Sequence, residues 1–167
     1  MGSTLSLPIL ALAAVLQASI LPQFSILGGR PDLVLLLVVS WALNAPLAEG
    51  VVWAFVGGVM QDLLSAAPTG TSVIGLVLIV FALDLFRQQV YRVGLLTLIW
   101  TALAGTLVQQ VIVMIVLTLS GFNIPLLNNF GYVVLPTMFY NFIVIFPVYF
   151  VARRIQKRVA GRARFFS

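Results

Sequence analysis

The chain has 167 residues, of which 62% are hydrophobic and 8% are charged, whereas soluble domains carry about 25% charged residues. A soluble protein of this composition would expose apolar patches large enough to aggregate, so we predict an integral membrane protein whose length is taken up by membrane segments. The sequence contains no cysteine and no histidine, which excludes a disulfide framework and a metal site built on those ligands. We therefore expect neither a metal nor a cofactor.

Six apolar stretches follow one another along the chain. A helix that crosses about 30 Å of hydrocarbon needs roughly 20 apolar residues. The stretches that approach this length are residues 5–24, 33–44, 49–65, 71–86, 93–119 and 132–152. The second and third are short, and merging them would leave five spans. Pro46, followed by Glu49 and Gly50, makes a poor helix centre, so we favour an all-α protein with six transmembrane helices.

The basic residues are unevenly distributed. Six of the nine lie in the C-terminal tail, at Arg153, Arg154, Lys157, Arg158, Arg162 and Arg164. With a cytoplasmic N-terminus, six spans place the tail, Arg87 and Arg92 inside and only Arg30 outside, as the positive-inside rule requires. We predict two cytoplasmic termini, a transmembrane domain over residues 1–152 and a basic tail over residues 153–167. Cations confined to such a tail do not fit nucleic-acid binding.

The tail also has a helical pattern. Apolar residues recur on one face, at Ile155, Val159, Ala163 and Phe166, with cations around them. This pattern predicts an amphipathic helix on anionic lipids, which contribute about 1 kcal/mol per nearby cation. A docking strip for a cytoplasmic partner is the alternative.

The four acidic residues have different expected roles. Asp32 and Glu49 fall at predicted helix starts, where a carboxylate meets the positive end of the helix dipole, and Asp32 can cap its helix. Asp84 lies three residues before Arg87, which predicts a local ion pair. Asp62 lies near the C-terminal end of its helix, the unfavourable end for a carboxylate.

Two interpretations of Asp62 remain open. In the first, the carboxylate pairs with Arg30, with free N–H groups at the start of the next helix (residues 69–72), or with both. In the second, it is simply hydrated at the membrane interface. The surrounding segment predicts a tight helical hairpin, since Ala54 and Gly58 allow close helix packing and Pro68 and Gly70 turn the chain.

Three amide side chains fall inside predicted spans. Gln109 and Gln110 lie a little past the middle of the fifth helix, and Asn141 lies near the middle of the sixth. We expect interhelical hydrogen bonds, worth about 0.6 to 2 kcal/mol each, rather than a solute pocket, which would need several such groups to converge. No arrangement of catalytic groups is visible, and no polar pore is indicated.

Two short segments resemble patterns found in the rod shape-determining protein MreD family. The first is Gln61-Asp62-Leu63-Leu64-Ser65, followed by Pro68, Gly70 and Ser72, and the second is Arg30-Pro31-Asp32-Leu33. The size of the chain and its short basic tail are also similar to that family.

The resemblance implies a function and a fold. It implies a non-enzymatic scaffold in the bacterial inner membrane that binds MreC and, through MreC, connects to RodA, its penicillin-binding transpeptidase and MreB during peptidoglycan synthesis. It also implies a fold similar to the six-helix substrate-binding component of energy-coupling-factor transporters. The alternative function is therefore a substrate-binding membrane subunit for uptake of a vitamin-like solute.

Overall fold

The computed structural model describes residues 5–25, 28–65, 68–87, 94–122 and 130–163. These residues form six α-helices joined by short connections. The helices are α1 (Ser6–Ser19), α2 (Leu33–Ala42), α3 (Leu47–Leu63), α4 (Thr71–Arg87), α5 (Leu95–Leu119) and α6 (Leu135–Ala163). A 3₁₀ turn (Leu21–Phe24) follows α1, and a π-helical turn (Phe130–Val134) leads into α6.

The all-helical prediction is confirmed, and α2 and α3 are separate helices. Pro46 is extended, with φ −60° and ψ 151°, and directly precedes α3. Two boundaries differ clearly from the prediction. The helix predicted over residues 5–24 ends at Ser19 and is followed by the 3₁₀ turn, and the helix predicted to end at residue 152 continues through the tail to Ala163. The helix predicted over residues 33–44 is two residues shorter and ends at Ala42. The tail is therefore a continuation of α6 as far as it is described.

Three helical segments are long and apolar enough to cross a membrane. They are Ser6–Gln23, Leu95–Leu119 and Gly131–Arg158. By contrast, α2 has ten residues and measures only about 15 Å along its axis, half of the hydrocarbon thickness. The composition and these three segments make the protein a membrane protein, while the number of crossings stays a prediction.

The short helix α2 lies at the centre of the bundle. It packs against α3 and α6 most extensively and also touches α1, α4 and α5. Eight of its ten residues are buried, including Val34, Leu35, Leu36, Val38 and Val39, which are fully buried. A helix that is apolar on all sides is expected in the interior, and α2 takes that place.

The hairpin of α3 and α4 is the most closely packed helix pair. A Cβ atom built on Gly58 would lie 2.5 Å from the Val73 Cα atom, so only glycine permits this backbone approach. At the other end of α3, the Trp53 ring stacks on the Trp41 ring of α2, with centroids 3.9 Å apart. Large apolar side chains such as Leu96, Leu119 and Phe139 point outward, as expected for a surface that faces lipid.

Candidate functional site

The hairpin tip is organised by the Asp62 carboxylate. Its Oδ2 atom accepts a hydrogen bond of 2.7 Å from the Gly70 N–H, and Oδ1 accepts one of 3.0 Å from the Ser72 N–H. The carboxylate therefore satisfies two backbone N–H groups at the N-terminus of α4, where the helix dipole also favours a negative charge. Asp62 is 5% exposed, so this contact lies in a nearly dry environment.

The turn that carries these amides depends on Gly70. Its φ angle is +99°, in the region that L-residues with a side chain rarely adopt. The Thr71 hydroxyl donates a hydrogen bond of 2.7 Å to the Pro68 carbonyl oxygen, which closes the turn before α4. The motif residues Pro68, Gly70 and Ser72 thus all lie in or next to the turn that faces Asp62. Ser65 directly follows the end of α3, before this turn.

The predicted pairing of Arg30 with Asp62 is replaced by other contacts. No ion pair joins these two side chains in the described part of the chain, because Asp62 is occupied by backbone amides. Arg30 instead lies close enough to Asp32 for an electrostatic interaction, and its backbone N–H donates to the Thr137 hydroxyl oxygen at 3.3 Å. Its side chain is exposed.

Asp32 connects the two motif segments. Its Oδ1 atom accepts from the Leu35 N–H at 3.0 Å, which confirms the predicted helix cap. Its Oδ2 atom accepts from Gln61 Nε2 at 3.0 Å, so the first residue of the hairpin motif binds the acid that opens α2. Spacing alone gave no sign of this contact, since the two residues are 29 positions apart.

Asn141 continues this network into α5 and α6. Its Oδ1 atom accepts from the Asp32 N–H, and its Nδ2 atom donates to the Thr106 hydroxyl oxygen, both at 2.8 Å. Thr106 in turn donates to the Ala102 carbonyl oxygen at 2.7 Å. Asn141 is fully buried and Thr106 is 1% exposed, so a hydrogen-bond network joins α2, α3, α5 and α6 in the protein interior.

A cavity of about 630 Å³ lies beside the network, on the same side of the bundle as the hairpin tip. Its polar lining residues are Gln17, Arg30, Asp32, Gln61, Ser65, Ser72, Gln109, Gln110 and Thr137. The remaining wall is largely apolar, with Ala14, Ala18, Val113, Leu117 and Val133. Mixed walls of this kind and a volume of roughly 300 to 1,000 Å³ are typical of small-molecule sites.

Gln109 and Gln110 contribute differently to this cavity. Gln110 is half-buried, whereas Gln109 is 3% exposed, and neither amide heavy atom of Gln109 has a hydrogen-bond partner among the described residues. The Gln61 Oε1 atom is also buried without a partner in that part of the chain. A buried polar group left unpaired costs about 1–3 kcal/mol, so these amides lower the stability of the fold unless water satisfies them.

The opposite end of the bundle is basic. Arg153, Arg154, Lys157 and Arg158 are exposed on α6. Arg162 lies in the helical part of the tail, and Arg164 lies outside the described residues. Near the start of the tail, Gln156 Nε2 donates to the Trp41 carbonyl oxygen at 3.0 Å, which ties α6 to the end of α2.

Arg87 supports the same end of α2. Its Nη1 atom donates to the Ala42 carbonyl oxygen at 3.1 Å and to the Ala45 carbonyl oxygen. No ion pair with Asp84 is present among the described residues, so the predicted local pair is wrong. The reason is that a helix C-terminus exposes unpaired carbonyl groups, and a neighbouring guanidinium satisfies them.

The described residues contain no group of three or more acidic, histidine or cysteine residues placed to hold a metal ion. Comparisons with curated proteins and with solved structures find no match. The model of the rod shape-determining protein MreD family matches residues 1–159, nearly the whole chain. This match includes the hairpin motif, the Asp32 segment and the network between them. The chain therefore belongs to the MreD family of rod shape-determining proteins.

Proposed function

We propose that this protein is a non-enzymatic scaffold of the bacterial cell-elongation machinery, which binds MreC and thereby supports peptidoglycan synthesis by RodA and its penicillin-binding transpeptidase. The family match over residues 1–159 is the observation that carries the proposal. MreB is the expected cytoplasmic connection. As part of this proposal, the protein crosses the inner membrane six times and both termini are cytoplasmic, so the hairpin tip and the cavity are on the outer side.

The described contacts of the motif residues support a structural role for them. The carboxylates of Asp62 and Asp32 are both engaged by hydrogen-bond donors of the protein itself. Hydrogen bonds of this kind fix the positions of the helices that they join, as a scaffold requires. A protein built in this way acts through its surfaces.

In this proposal, the transmembrane helix of MreC binds in a groove between α3 and α4. It has a volume of about 590 Å³ and is lined by Val51, Val52, Phe55, Val73, Ile74, Val77 and Leu78. Phe55, Ile74 and Leu78 are each about half exposed, so an apolar helix that packs there gains close contacts. The close packing of Gly58 on Val73 holds together the two helices that line the groove.

Purification of the tagged protein from its native membrane in mild detergent, followed by mass spectrometry of proteins, tests this function. We expect stoichiometric MreC together with cell-wall synthases. Ile74→Trp fills the groove and should reduce MreC recovery. Leu96→Trp, at an exposed site on α5, is the matched control and should leave recovery unchanged.

The alternative function is a substrate-binding subunit of an uptake transporter. The cavity on the proposed outer side is the observation that favours it. Recovery of ATPase subunits in place of MreC would support this alternative and overturn the scaffold.

The basic end of α6 fits a role at the cytoplasmic membrane surface. Four exposed cations lie where α6 leaves the bundle, which favours binding to anionic lipid headgroups. A cytoplasmic protein partner is the competing occupant. Binding of the purified protein to anionic vesicles, compared with neutral ones and with a variant in which Arg153, Arg154, Lys157 and Arg158 are glutamine, separates lipid from protein binding.

A further inference from the structure

The chain segment that leads into α2 descends along α6 without being helical. A Cβ atom built on Gly29 would lie 2.7 Å from the Thr137 backbone nitrogen, and the Arg30 N–H donates to the Thr137 hydroxyl oxygen at 3.3 Å. Two residues later, the Asp32 N–H donates to the Asn141 Oδ1 atom at 2.8 Å. The segment therefore moves by about one turn of α6 between these two contacts.

This descent ends near the middle of the membrane. Asn141 Nδ2 donates to the Thr106 hydroxyl oxygen at 2.8 Å, and Thr106 lies near the midpoint of α5. The helix α5 and most of α6 are segments long and apolar enough to cross a membrane. Asp32, which shares Asn141 with Thr106, therefore lies about 20 Å below the outer end of α5.

The cavity covers the same depth. Its lining on α5 extends from Gln109, near the midpoint, to Phe122, just beyond the helix end, which is about 20 Å along the axis. Gly28, Ser65 and Phe122 also line it and are exposed, so the cavity is open to water at the hairpin-tip end. A volume of about 630 Å³ holds roughly twenty water molecules at about 30 Å³ each.

The charged side chains at the inner end of the cavity require water. Arg30 is exposed, Asp32 is half-buried, and both line the cavity. Their mutual electrostatic interaction does not remove the guanidinium from this space, because the Arg30 side chain stays exposed. Ionisable side chains and non-helical backbone at membrane depth are tolerated inside the protein or beside a water-filled cavity. The exposure of Arg30 selects the second case.

The helix α2 closes the cavity toward the other side of the membrane. Beyond Asp32, its apolar residues such as Val34 and Val38 are fully buried. Near its end, the Trp41 ring stacks on the Trp53 ring, and both are at most 1% exposed. Apolar side chains packed at interior density leave no space for water.

We propose that the cavity is a water-filled vestibule, which brings the outer aqueous phase to the middle of the membrane and ends on α2. At this place, only the ten residues of α2, about 15 Å, separate the two aqueous phases, half of the hydrocarbon thickness. The vestibule adds a local thinning of the apolar barrier to the scaffold function. It rests on the proposed function only for the assignment of its open end to the outer side.

The absence of cysteine from the sequence allows a direct test. Single variants Gln110→Cys and Val113→Cys place a thiol on the cavity lining, whereas Val108→Cys and Val111→Cys place one on the exposed, lipid-facing side of α5 at matched depth. Each is reconstituted into liposomes, with a methanethiosulfonate reagent that carries a quaternary ammonium group on both sides of the bilayer. Because thiols react as thiolates, which form in water, we expect the lining positions to react at least about tenfold faster.

Two results of this test are decisive for the vestibule. All four thiols should react at similar rates in denaturing detergent, which shows that each is intrinsically reactive. In the bilayer, equal rates at lining and lipid-facing positions would overturn the vestibule, whatever the orientation of the protein. MreC recovery with the wild type reports on the scaffold separately, so the failure of one proposal is distinguishable from the failure of the other.

The sidedness of the reaction tests the closure by α2. In sealed membrane vesicles, the reagent should modify Val113→Cys from the outer face and leave it unmodified from the cytoplasmic face. Modification from both faces would overturn the closure. Modification from the cytoplasmic face alone would overturn the outer placement, together with the orientation given under the proposed function.

The charge of Arg30 provides a readout of what the water contacts. In the Val113→Cys background, the rate with a negatively charged sulfonate reagent is divided by the rate with the ammonium reagent. Arg30→Gln should lower this ratio about two- to fivefold, because a cation near the thiol attracts the negative reagent. Lys157→Gln, on the tail, should leave the ratio unchanged. An unchanged ratio in Arg30→Gln would show that Arg30 does not face the water, and it would overturn the inference drawn from its exposure.

Discussion

Asp62 near the end of α3 accepts a hydrogen bond of 3.0 Å from the backbone N–H of Ser72 in the first turn of α4. A second bond of 2.7 Å from the Gly70 N–H makes the contact bidentate. A carboxylate at the C-terminal end of its own helix is unfavourable, but at the N-terminus of the next helix it is stabilised. The hairpin brings the Asp62 carboxylate from the end of α3 to the start of α4, where it is stabilised. The stability of the hairpin therefore depends on this side chain.

Replacement of Asp62 should therefore destabilise the hairpin in a graded way. Asp62→Leu leaves two buried amide groups without an acceptor and should cost about 1–3 kcal/mol. Asp62→Asn keeps one acceptor oxygen and should cost less, because one of the two bonds is retained. Thermal unfolding in detergent measures both. Asp84→Leu is a control at a half-buried acid of α4, and an Asp62→Leu protein as stable as the wild type would contradict the role of the carboxylate.

Gly70 provides a second test of the same turn. Nothing lies within 4 Å of a Cβ atom built there, so its φ angle of +99° is the reason for glycine at this position. Gly70→Ala should lower the unfolding free energy by about 1–2 kcal/mol through backbone strain alone. Gly94→Ala is matched, since Gly94 is equally open but has a φ angle of −90°. Equal Tm values for the two variants would show that the turn relaxes without cost.

Much of this arrangement was predictable from local sequence. Apolar stretches interrupted by Pro46 and by the Pro68–Gly70 turn indicated the helices, because these residues act on their own backbone. The amides before and in α4 were one of the partner sets expected for Asp62, since they lie only eight to ten positions away. The cap formed by Asp32 is equally local.

The contacts that build the cavity wall were not predictable in this way. Asp32 reaches Asn141 across 109 positions, and Gln61 across 29. Such pairs depend on how the helices pack, which periodicity does not specify. For the same reason, Arg87 was expected to pair with Asp84 on its own helix but binds carbonyl groups at the end of α2. The unpaired amide of Gln109 became visible only with the full set of neighbours.

The interior network gives a matched pair of threonine variants. Thr106 and Thr118 each donate to the carbonyl oxygen four residues earlier, at 2.7 Å and 2.8 Å, but Thr106 also accepts from Asn141. Thr106→Val leaves the buried Asn141 amide without its acceptor and should cost about 0.6–2 kcal/mol. Thr118→Val at an exposed position should change stability little. If both variants unfold at the wild-type temperature, the network does not contribute to stability.

Replacement of Gln109 should raise the stability of the protein, whereas the substitutions above lower it. Its carboxamide is buried without a partner among the described residues, so Gln109→Leu removes an unpaired polar group and should raise the unfolding free energy by about 1–3 kcal/mol. Gln110→Leu, at a half-buried neighbour in the same helix, should change stability less. Destabilisation by Gln109→Leu would instead show that the amide is satisfied within the protein.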